Sequence, residues 1–510
     1  MTSNFFFLIG TLSVMFSKAS AQTPAKDSAD IPVPSEIKSI TKHSAVIGGK
    51  TINYTATAGA LIIKNEKDEP IAFFGYTAYA KDDDNNKRPV TFSYNGGPGS
   101  SSFWLHVGVI GPRKIIVNDP GYNPPPPYTF EDNTNSILDV TDIVMIDPVG
   151  TGLSHAVAKA KNKDFWGVDQ DIKSISNFIK QYVTDNSRWN SPKFLLGESY
   201  GTMRSAGVVN YLQENMGMAM NGVILVSSVL DLRTLTFQPY DDLPFILYLP
   251  SYAATAWYHD KISNKPASLE AFIKMAEDFA GSEYASALVK GDNLPATERE
   301  AVLNKLAGFT GLSKEYLSRA NLRVTEPQFT QELLRNEHKT VGRLDSRYKG
   351  INQNLLSESS ATDPQSSAIS PVFTTAFLSY YYGELKMDKK NVYQTSAYNT
   401  EGFEWDWKHK KSASLFGEDP STPNTTVDLA EAMSNNPHLK VLVLNGYYDL
   451  ATPFFATEYT FSHLALDTSL RSNIQLKYYS AGHMMYINST SANAFKKDVA
   501  AFITGAVRKE

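Results

Sequence analysis

The chain has 510 residues, of which 42% are hydrophobic, 12% aromatic and 20% charged, an ordinary globular composition with room for one large domain with insertions or for two or three domains. A formal net charge of -5 leaves no electrostatic footprint for nucleic acid or for an anionic membrane. With no cysteine, thiol catalysis, cysteine-based metal sites and disulfides are all excluded.

The chain opens on an apolar run, Phe5 to Phe16, too short to span a bilayer, followed by Lys18 and the small residues Ala19-Ser20-Ala21 before Gln22. This pattern predicts a signal peptide over residues 1–21 and an exported, periplasmic or secreted, protein. The competing reading is a buried N-terminal strand. No later segment is long and apolar enough for a transmembrane helix. Residues 22–45 are polar and proline-rich and read as a mobile lead-in. From Ala45 to Tyr79 strand-like runs broken by turn signals suggest antiparallel hairpins at a sheet edge.

The pattern then changes. Short apolar strands, RPVTFSY, DIVMIDP, KFLLGES, GVILVSS and later KVLVLNG and IQLKYYS, alternate with amphipathic stretches such as DIKSISNFIKQYVTDN. Near-continuous Val, Ile and Leu strands alternating with helices imply an α/β fold with a mostly parallel sheet covered on both faces. Residues 233–425 have a different, mainly helical texture, with SLEAFIKMAEDFA and ATEREAVLNKLAGF as examples. They are expected to form a large cap insertion over the C-terminal edge of the sheet, between a first core part (22–232) and a second (426–510).

Within this frame GESYG puts Ser199 on a turn between the strand KFLL and the helix TMRSAGVVNYLQ, the context of an α/β-hydrolase nucleophile. A bare serine needs a histidine base held by a carboxylate, and in this fold the chain order is serine, acid, histidine. Asp449 ends the strand KVLVLNGYYDL, and His483 alone among the later histidines falls just after a core-type strand, on a glycine-containing turn. The plainer alternatives are a helix cap for Asp449 and a satisfied turn for His483. The oxyanion donors would be the Tyr200 N–H and an N–H from Asn95-Gly96-Gly97-Pro98-Gly99, directly after the strand VTFSY.

Taken together, NGGPGSSS, DPVGTGLS, GESYG, the aspartate of NGYYDLATP and AGHM occur in the order found in the serine carboxypeptidase family of α/β-hydrolases, which this chain resembles over nearly all its sheet-forming segments. The resemblance implies a Ser199–Asp449–His483 triad and an oxyanion hole from the Gly97 and Tyr200 N–H groups. It further implies recognition of a substrate's C-terminal carboxylate by Asn95, the Gly96 N–H and Glu198. Two anions at hydrogen-bond distance repel, so Glu198 would bind a carboxylate only with a proton shared between them. Two departures stand out: Ser100 replaces a usual cysteine, and Val109 stands where many members carry a second glutamate. His106, in the same segment, is either a compensating positive charge or a core or loop histidine. No metal or other cofactor is expected. The expected activity is removal of C-terminal residues from peptides through an acyl-enzyme. Its alternatives are an esterase or acyltransferase on the same fold and, more remotely, an inactive binding protein.

Overall fold

Alternation of polar and apolar residues builds the first edge of the sheet. In the computed structural model, which describes residues 31–83, 87–263, 265–410 and 422–507, strands β1 (Ile37–Ile47), β2 (Lys50–Lys64) and β3 (Pro70–Lys81) form an antiparallel meander. The expected signal segment lies outside the described residues. β1 starts inside the stretch expected as a mobile lead-in. Its residues alternate between half-buried and exposed, so its polar outer face gives a loop-like sequence to what is a paired edge strand.

The apolar runs β4 (Val90–Tyr94), β5 (Asp142–Ile146), β6 (Lys193–Glu198), β7 (Gly222–Val226) and β8 (Lys440–Gly446) are strands buried on both faces. β9 (Ile474–Tyr479), expected as a core-type strand, is instead the last strand of the sheet, mostly half-buried with Gln475 exposed, because one of its edges has no neighbouring strand to cover it. The sheet order is β1-β2-β3-β5-β4-β6-β7-β8-β9, with the short strand His155–Ala156 paired to β3. From β5 to β9 every pairing is parallel, so the C-terminal ends of these strands share one edge. Tyr94 faces Gly197, Glu198 faces Val226, and Gly446 faces Tyr479 across that edge.

Successive side chains of each strand point into different cores. Phe194 and Leu196 join one cluster with the helix Ser489–Ala506, while Leu195 joins the other with helices α1 (Val168–Asp185) and α2 (Tyr200–Met216). This two-sided burial is what near-continuous apolar strands require, and it makes the fold a layered α/β sheet. Between β7 and β8 the chain is mainly helical, with α3 (Leu243–Tyr258), α4 (Leu269–Phe279), α5 (Ala296–Thr310) and α6 (Pro364–Gly383) as its longer elements. α3 to α5 share a third apolar cluster of their own, which also takes in Leu450 from the loop after β8. α6 instead packs Phe373, Phe377 and Tyr380 into the cluster on one face of the sheet. Among the described residues no helix is long and apolar enough to cross a membrane.

Candidate active site

The turn after β6 is tight because its neighbours are bare. A Cβ on Gly197 would lie 2.1 Å from the Gly201 carbonyl oxygen, so only glycine lets the strand turn directly into α2. Ser199 sits at the apex with φ 60 and ψ -131, a conformation an L-residue holds only when its surroundings impose it. It occupies the N-cap position of α2, yet its side chain makes no capping bond to that helix. The half-buried hydroxyl is therefore not spent on helix capping, as a purely structural turn serine's would be.

Asp449 and His483 come from the loops after β8 and β9. The His483 Nδ1 lies 2.8 Å from Asp449 Oδ2. Asp449 is fully buried and also accepts from the backbone N–H groups of Ala451 and Thr452 and from the Thr452 hydroxyl, at 2.8, 2.9 and 2.7 Å. It does not cap the next helix, Phe454–Ser462, whose N-cap is Pro453. With an N–H at Nδ1 given to the carboxylate, the ring presents a lone pair at Nε2. Burial works against charge on His483, but the Asp449 carboxylate and then Glu198 outweigh it and hold the imidazole above its ordinary value.

The glycine loop after β4 packs on the elbow. A Cβ on Gly96 would fall 2.5 Å from the Tyr200 nitrogen, while Gly97 takes φ 111, in the left-handed region. Tyr200 opens α2, so its N–H has no partner within that helix. Asn95 Nδ2 donates to Glu198 Oε1 at 2.9 Å, and its own Oδ1 accepts from the Leu105 N–H, which fixes the orientation of the amide. Burial pushes the Glu198 carboxyl up to about 7, against the pull of the His483 charge, of the nearby Tyr486 hydroxyl and of the Asn95 donor. Val109 is packed in the apolar core, so it supplies no second carboxyl. His106 is a buried core histidine, its Nε2 2.5 Å from the Tyr79 hydroxyl, and burial drops its pKa to about 3. It stays neutral and provides no compensating charge.

Several supporting residues carry no motif signal. Arg204 is fully buried. It donates from Nε to Asp171 Oδ2 and from Nη1 to the Asn95 carbonyl, both at 2.7 Å, which ties α1 and α2 to the glycine loop. Residues 343–347 clamp the loops that carry Asp449 and His483: the Leu450 N–H donates to the Arg343 carbonyl, the His483 N–H to the Leu344 carbonyl, and the Gly482 N–H to Asp345 Oδ2. Asp345 is in turn held by Arg347, which also grips Asp119. Ser227 donates to the His483 carbonyl at 2.6 Å. Most of these contacts join segments more than a hundred residues apart. Only Thr452, three residues after Asp449, stands close enough in the chain to be sought from the sequence.

The sequence matches the family described as serine carboxypeptidase over residues 49–496. No curated protein matches it. Among solved structures the chain is similar to KEX1(delta)P, a prohormone-processing carboxypeptidase from Saccharomyces cerevisiae, at 15% identity and a TM-score of 0.54, over 90% of this chain and 92% of that one. A proline iminopeptidase from Mycobacterium smegmatis is matched at 12% identity and a TM-score of 0.32, over 91% of this chain and 98% of that one. The first likeness, with the mostly parallel sheet flanked by helices described above, makes the fold that of an α/β-hydrolase. With the family match spanning residues 49–496, the chain belongs to the serine carboxypeptidase family and is a serine-type carboxypeptidase hydrolase.

Proposed function

We propose that Ser199, His483 and Asp449 form the catalytic triad and that the enzyme removes residues from peptides with a free C-terminal carboxylate. His483 Nε2 takes the proton as Ser199 Oγ attacks the scissile carbonyl carbon. The oxyanion that forms is met by the Gly97 and Tyr200 N–H groups. Collapse breaks the C–N bond, the proton on His483 passes to the departing amine, and the acyl group stays on Ser199 as an ester. Water then attacks that ester, with His483 again as base, and releases the shortened peptide. Asp449 orients the imidazole and steadies its charge.

The observation that carries the substrate reading is the buried Asn95–Glu198 hydrogen bond directly before the nucleophile. A carboxyl whose pKa burial lifts to about 7 keeps its proton in mildly acidic solution. It then donates to an incoming carboxylate instead of repelling it, with the Asn95 amide and the Gly96 N–H beside it. Rates on an N-blocked dipeptide, its C-terminal amide and its C-terminal ester test this. A clear preference for the free acid over the amide supports the reading. Equal rates on all three point to an esterase or acyltransferase on the same scaffold, a reading that buried Val109 in place of a second carboxyl favours. Export is supported by the Phe5–Phe16 apolar run followed by Ala19-Ser20-Ala21.

A further inference from the structure

Tyr486 lies three residues after His483, in the single turn Met485–Ile487, and its ring is buried against the same core as Val109. The backbone makes room for that ring. A Cβ on Gly108 would meet Tyr486 Cε2 at 2.6 Å, so a side chain at 108 would push the ring from its place. At the tip of the ring the hydroxyl has no hydrogen-bond partner, and neither has Glu198 Oε2, although both atoms are buried. The Tyr486 hydroxyl interacts electrostatically with Glu198 and approaches Asn95, but neither contact closes to a regular hydrogen bond. Two orphaned buried polar atoms side by side carry a desolvation cost that a protein tolerates where a ligand supplies the missing partner.

We propose that the Tyr486 hydroxyl is a third binding group for the substrate's C-terminal carboxylate, completing a pocket with the Asn95 amide and the Glu198 carboxyl. It is a specificity-determining residue. The proposal rests on the carboxylate reading of Glu198 given above. The chemistry fits an anion of that shape. Asn95 has one N–H committed to Glu198 Oε1 and a second to give, and the phenol adds a neutral O–H donor. Burial holds the phenol far above the ordinary tyrosine range, so it remains a donor at every working pH. Val109 lies in the same apolar core as the Tyr486 ring and offers no polar group, whereas the phenol comes from the histidine loop.

The test is the ratio of kcat/KM on an N-blocked dipeptide to kcat/KM on its C-terminal amide, measured for the parent, Tyr486→Phe and Glu198→Ala. A ratio within one preparation is insensitive to the fraction of folded enzyme. Removing an unpartnered hydroxyl costs no existing bond, so Tyr486→Phe is expected to melt no lower than the parent. The expected result is a fall in the ratio of about ten-fold or more in Tyr486→Phe, carried by KM for the free acid. If the parent prefers the acid and Glu198→Ala loses that preference while Tyr486→Phe keeps it, the role of Tyr486 is overturned and the carboxylate reading stands. If the parent shows no preference for the acid, both fall.

Discussion

A Cβ placed on Gly96 would lie 2.5 Å from the Tyr200 nitrogen and 2.7 Å from the Glu198 carbonyl oxygen. Glycine loop and elbow thus meet backbone to backbone, with no space for a methyl group. Gly96→Ala is expected to move the loop off the elbow and displace the Gly97 and Tyr200 N–H groups proposed as oxyanion donors. A loss in kcat of about a hundred-fold or more should follow, since one misplaced donor costs on that order. Steady-state rates on an activated ester, for which carboxylate recognition does not matter, would show it.

Asp449 is saturated by donors, and its remaining task is the bond to His483 Nδ1. Asp449→Asn would keep the shape and offer an amide in place of the carboxylate, favouring the wrong imidazole tautomer. A fall in kcat of roughly ten-thousand-fold is expected, with circular dichroism unchanged. A fall of less than ten-fold would mean that His483 is not the base.

If Glu198 binds the substrate carboxylate as proposed, the pH dependence is expected to vary with the substrate. Its pKa is raised to about 7, so the carboxyl holds its proton below that value and loses it above. For a free-acid substrate kcat/KM should therefore decline as pH rises through about 7, by about ten-fold per unit at the steepest. The C-terminal amide of the same substrate should lack this limb. Glu198→Gln, which stays uncharged at any pH, should retain acid-substrate activity at pH values where the parent has lost it.

His409 supplies a stability test away from the active site. Its ring bridges Asp169 and Asp428, at 2.6 and 2.8 Å. Burial opposes the charge, but the two carboxylates prevail and lift the pKa from 6.5 to about 9. Because the folded value exceeds the unfolded one, the stabilisation is complete below 6.5 and disappears as pH rises through 9. A contribution on the order of 2–3 kcal/mol is expected. The melting temperature of the parent should fall across that interval. His409→Asn should start lower at pH 6 and show no such decline.

The strands beside the site were legible in the sequence because burial on both faces demands unbroken Val, Ile and Leu, as in DIVMI and GVILV. The positions of Ser199 and Asp449 were legible because each comes just after such a strand, and that of His483 because it comes just after the half-buried last strand, with parallel pairing gathering those ends on one edge. β1 was hidden by its polar outward face. α3 and α6 carry Pro250 and Pro371 in their interiors, which a reading of local pattern takes as breaks. Arg204, Asp345 and Tyr486 act through contacts between segments far apart in the chain, and no spacing rule reaches them.

The most direct test is digestion of a peptide mixture by the parent and by Ser199→Ala, followed by mass spectrometry. The parent is expected to shorten free-acid peptides by single residues from the C-terminus and to spare their C-terminal amides, while Ser199→Ala shortens none. Trimming that survives in Ser199→Ala, or a parent that trims acids and amides alike, would contradict a carboxylate-reading peptidase built on Ser199.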